Sequence, residues 1–130
     1  MSGLCTEKER PDLIISATEK LKIQTANDEI SLFVTVGFID KKPFEMFLST
    51  KNAYLCEHLN LVAVLTSKLL RSGCPLDEVI DEFGKIYSPF TSHFMPGRYA
   101  NSLYDRVGKV LLSLSKNPPD DHIFHLSVDE

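Results

Sequence analysis

The sequence predicts an α+β domain: a small antiparallel sheet of two or three strands packed by three helices, in the order β-β-β-α-α-α. Three observations predict it. Apolar residues alternate with period two on either side of one turn between Ile30 and Thr50. From Leu59 onward the apolar spacing becomes helical. The strand signals all precede the helix signals, and no internal repeat interrupts that order.

Residues 1–12 are polar, contain Pro11, and read as a flexible N-terminal arm. Residues 13–116 form the α+β domain, and residues 117–130 an acidic C-terminal tail. The first apolar segment, DLIISATEKLKIQT, is ambiguous, although its end alternates from Leu21 to Thr25 as a strand would. In ISLFVTVGFI, the residues Ile30, Leu32, Val34, Val36 and Phe38 share one face. The turn DKKP follows, then FEMFLST, with Phe44, Met46 and Leu48 on one side. The opposite face carries Phe33 and Phe47, so it suggests a cover, either the first segment or a partner.

Leu59, Val62, Ala63, Thr66, Leu69 and Leu70 define the first helix. Val64 and Leu65 widen its apolar face, which predicts a central position. Gly73 suits a left-handed C-terminal cap. Pro75 then fits the first position of a second helix that buries Leu76, Val79, Ile80 and Phe83. A loop precedes the last helix, which runs from about Ser102 to Ser115 and is closed by Pro118-Pro119.

Composition bounds function. Hydrophobic residues make up 43% and charged residues 25%, ordinary for a globular domain. The net charge of -4, from 14 basic and 18 acidic residues, argues against a binder of nucleic acid polymers. No apolar run approaches the roughly 20 residues of a membrane span, and the N-terminus lacks the apolar core of a secretory signal. Cys5, Cys56 and Cys74 are odd in number and have no CxxC spacing. The expectation is a cytoplasmic protein with free thiols, no zinc site and no cofactor.

The runs LFVTVGFIDKKPFEMFLST, LLRSGCPLDEVIDEFGKI and NSLYDRVGKVLLSL resemble the TSCPD domain, over about residues 17 to 114. That module is found mostly in the C-terminal part of adenosylcobalamin-dependent (class II) ribonucleotide reductases, with free-standing copies in bacteria and phages. The motif that names the family falls at Asn101-Ser102-Leu103-Tyr104-Asp105, where the Ser and Asp match and the Thr, Cys and Pro do not. The resemblance implies a domain and not a reductase activity, since the catalytic barrel does not fit in 130 residues. The physical reading of the two matches is a capping box: Ser102 accepts from the amide three residues on, and Asp105 reaches back to the cap.

The stretch HFMPGRYANSLYD combines a helix start with residues suited to a nucleotide. His93, Arg98, Tyr99, Asn101, Ser102 and Tyr104 are the candidate ligand-binding residues: the helix end and Arg98 for phosphate, Tyr99, Tyr104 or His93 against a base. The plain alternative is a surface turn with a solvated arginine and tyrosines packed on the core. Cys74 lies just before the second helix, where a thiolate is favoured, but reads more simply as a small cap residue. Cys56 reads the same way, as the residue before the long helix. His122 and His125 have a weak metal-ligand spacing.

No glycine-rich phosphate loop and no catalytic motif is present. The expected function is therefore a non-catalytic module for a small nucleotide or cyclic nucleotide. It would regulate nucleotide metabolism or, as free-standing phage copies suggest, sequester a nucleotide signal in an anti-defence role. The alternative is an adaptor that docks on a ribonucleotide reductase or another protein partner. A homodimer or higher homo-oligomer is expected, formed through the second sheet face.

Overall fold

The computed structural model describes residues 9–25, 28–95 and 98–120. Three antiparallel strands come first: β1 (Ile15–Gln24), β2 (Glu29–Ile39) and β3 (Lys42–Thr50), with β2 in the middle. Two helices follow, α1 (Ala53–Arg71) and α2 (Leu76–Gly84). A short ribbon of β4 (His93–Met95) and β5 (Arg98–Ala100) then leads into α3 (Leu103–Lys116). The three-strand, three-helix order is the predicted α+β arrangement. The ribbon stands where the sequence suggested only a loop.

The ambiguous first segment is a full strand, paired with β2 from Ile15↔Phe38 to Gln24↔Glu29. It alternates at its C-terminal half, where Leu21 and Ile23 are buried between exposed lysines. The β2–β3 turn is tight: Asp40 and Lys41 both take positive φ (52° and 63°), the twist a two-residue hairpin demands. A bulge between Gly37 and Phe38 leaves Phe44 without a partner in the register, and Phe44, Glu45 and Met46 are buried in a row, at 5%, 1% and 0% exposure.

Leu32, Val34, Val36 and Phe38 of β2 line the inner face of the sheet. Leu59 and Ala63 of α1 and Leu103, Val107 and Leu111 of α3 join them in one core. Each such side chain contributes roughly 1.5–3 kcal/mol by leaving water. α2 packs chiefly against α3 and only lightly against α1. Gly108 makes the close approach possible, because a Cβ there would lie 2.8 Å from Phe83 Cβ.

α1 begins six residues before its first periodic leucine. Asn52 caps it, its Oδ1 accepting from the Leu55 amide at 3.1 Å. Cys56 therefore lies within the helix rather than before it, a correction to the sequence reading. At the other end Gly73 (φ 87°) closes a Schellman motif: its amide donates to the Leu70 carbonyl and the Cys74 amide to the Leu69 carbonyl.

Two contacts hold β3 from outside the ladder. The buried Ser67 hydroxyl of α1 accepts from the Met46 amide (2.9 Å) and donates to the Met46 carbonyl (3.0 Å). One side chain thus serves both backbone groups that a further strand would have bonded. On the outer face, Glu45 is 1% exposed and is held by Arg10, whose Nε and Nη2 donate to its carboxylate at 2.9–3.1 Å. Arg71 Nη1 stands 3.9 Å away on the same carboxylate. Arg10 belongs to the segment read as a loose arm, and this ion pair ties that end of it to the sheet.

Candidate functional site

The ribbon and the start of α3 form one hydrogen-bonded unit. Ser102 is fully buried at the N-cap, and its Oγ accepts from the Asp105 amide at 3.1 Å. Asp105 Oδ2 accepts from the amide of Asn101 at 2.8 Å, one residue before the cap. This is a capping box shifted by one position. The Leu103 amide donates to Thr91 Oγ1 at 3.0 Å. The Asn101 side chain donates to the Gly84 carbonyl at 3.0 Å, and its own carbonyl accepts from the Ser88 amide at 2.9 Å. Asn101 is thus a clasp between the end of α2, the loop after it and the start of α3.

These bonds divide the predicted residues. Ser102 and Asn101 spend their polar atoms on the fold, and two first-turn amides of α3 already have partners. Tyr104 is half-buried and faces the groove between α1 and α2, where burial pushes its phenol up from the ordinary value. Tyr99 stands on β5 and is 60% exposed. His93 pairs with Ala100, Phe94 with Tyr99 and Met95 with Arg98 along the ribbon. The structure thus brings His93, Arg98 and Tyr99 onto one ribbon and sets Tyr104 apart from them.

Sequence reasoning missed Lys109. It lies one turn beyond Asp105, and its ammonium donates to the Tyr99 carbonyl and lies 3.4 Å from Asp105 Oδ2. The i,i+4 spacing of Asp105 and Lys109 was the available signal. Lys109 offsets the carboxylate, which would otherwise repel an anion at the ribbon.

A second concavity lies between α1 and α2, with a volume of about 580 Å³. Leu61, Leu65, Leu69, Val79, Phe83 and Ile86 supply its apolar wall, and His58, Glu78 and Glu82 its polar rim. Cys74 lies at one end, where its thiol donates to Glu78 Oε2 at 3.8 Å. Burial, and then the Glu78 carboxylate, push that thiol above its ordinary value. The helix-start position does not favour a thiolate here, because burial and the Glu78 carboxylate both oppose the charge.

Among the described residues no group of three His, Cys, Asp or Glu side chains is placed to hold a metal ion. His122 and His125 lie outside the described residues. Within the described residues no helix is long and apolar enough to cross a membrane.

No curated protein and no solved structure matches the chain. The family model of the TSCPD domain matches residues 7–114, from the Arg10 segment through most of α3. The chain belongs to the TSCPD domain family.

Proposed function

We propose that the protein is a non-catalytic module that binds a small nucleotide or cyclic nucleotide at the β4–β5 ribbon. The observation that carries this reading is the β5 position of Arg98 beside an exposed Tyr99, whose carbonyl accepts from the Lys109 ammonium. Arg98 supplies positive charge for phosphate, Lys109 offsets the Asp105 carboxylate beside it, and Tyr99 supplies a face on which a base stacks. Ser102 and Asn101 support the site by holding the ribbon against α3. The module then regulates nucleotide reduction or captures a nucleotide signal.

Calorimetry with a panel of nucleotides and cyclic nucleotides tests the proposal. A saturable heat for one of them is expected, with affinity lost in Arg98→Ala. No heat from any member, or unchanged affinity in Arg98→Ala, overturns it.

One observation favours the adaptor reading as a second possibility. Phe33 and Phe47 are 41% and 52% exposed on the outer sheet face. A protein partner covering them would be lost on Phe33→Lys, while nucleotide binding would stay intact.

A further inference from the structure

The first helix is apolar around more of its circumference than one core requires. Leu59, Ala63, Thr66 and Leu70 face the sheet and are buried. A second stripe on the same helix (Leu61, Val64, Leu65 and Leu69) is 59%, 63%, 56% and 44% exposed. The sequence predicted a central helix, yet this side has no cover among the described residues. A helix apolar on nearly all sides belongs inside an assembly.

We propose that a second copy of this chain covers this face, with α1 packed antiparallel against α1 of the partner about a two-fold axis near Leu65. Area supports that occupant. The four side chains and Ile86 (47% exposed) leave about 450 Å² of apolar surface in water. A stable homodimer buries about 800 Å² on each partner, of which about 500 Å² is apolar. The stripe from Leu61 to Leu69 runs about 12 Å along the helix, and the same stripe on a second copy matches it. A two-fold axis makes such a patch self-complementary.

Antiparallel packing opposes the two helix dipoles. The outer sheet face is the poorer candidate. Arg10 and Glu45 cover part of it, Thr18 and Thr35 bond each other there at 2.8 Å, and Lys20 lies over the Phe33 ring.

Sedimentation of the full chain across a concentration series tests the proposal. The wild type is expected at twice its 14.7 kDa mass. Leu65→Lys and, separately, Val64→Lys are expected to weaken the dimer more than about a hundredfold, because each would bury uncompensated ammonium groups. Both positions are exposed in the single chain, so both variants should keep the wild-type circular dichroism. Phe33→Lys should stay dimeric. A monomeric wild type overturns the proposal, including one whose groove is filled by residues 121–130. So does a dimer that survives both α1 variants, or one that Phe33→Lys dissociates.

Discussion

Ser67→Ala is the sharpest test of how this sheet ends. In most exposed helix positions that change is neutral or helpful, since alanine is the better helix former by about 0.5 kcal/mol. At Ser67 the sign should reverse. The hydroxyl bonds both the amide and the carbonyl of Met46 at 2.9 and 3.0 Å, in a place water does not reach. Its removal deletes two hydrogen bonds and leaves two buried backbone groups without partners. Each orphaned group costs about 1–3 kcal/mol, so a net loss of about 2–4 kcal/mol remains after the gain in helix propensity. That is a large share of the roughly 5–15 kcal/mol expected for a domain, and it should lower Tm by about 8–15 °C. Thermal melts and urea titrations followed by circular dichroism give both numbers. Ser113→Ala, on the exposed side of α3, is the control and should change little. A Tm for Ser67→Ala equal to or above wild type would refute the claim that this hydroxyl stands in for a missing strand.

Other predictions follow from the same contacts. Gly108→Ala should destabilise by about 1–2 kcal/mol despite a better helix former, because its Cβ would meet Phe83 Cβ at 2.8 Å; a urea melt reads this. Ser102→Ala should cost about 1–2 kcal/mol by removing the buried cap of α3, measured the same way. Cys74 has its thiol raised by burial and then by Glu78, so less of it is thiolate at any given pH than in an ordinary thiol. Alkylation of Cys74, followed by peptide mass spectrometry, should therefore be slow near pH 8 and quicken only at higher pH. Glu78→Gln should move that profile to lower pH.

How much of this was legible in the sequence depended on the strength of local periodicity. Ile30 to Val36 alternates because one face is core, and the structure pairs the hairpin that was read, with a bulge at Gly37 and Phe38. β1 was harder, since it is an edge strand whose first half is only half-buried and whose exposed face carries Lys20 and Lys22. The start of α1 was missed by six residues because Ala53–His58 lacks an apolar period, although Asn52 is an ordinary cap. β4 and β5 are three residues each around Pro96-Gly97, too short for any period to show.

The site was legible in the same partial way. The capping pair Ser102 and Asp105 could be read from spacing, and the structure bonds it with a shift of one residue. The clasp from Asn101 to Gly84 spans seventeen positions and leaves no trace in the local sequence. Lys109 is one of 14 basic residues, and only the fold turns it back toward Tyr99. The second stripe of α1 was visible as Val64 and Leu65, but only the packing shows that it faces away from the core.

The most direct test of the proposed function is a map of where the ligand touches. Amide chemical shifts of the labelled protein should be followed while the tightest-binding nucleotide is titrated in. The account predicts the largest changes in β4 and β5, at Asn101 and at Lys109, with the α1–α2 groove little affected. Shifts centred on Leu61, Leu65 and Phe83, or none at saturating nucleotide, would contradict it.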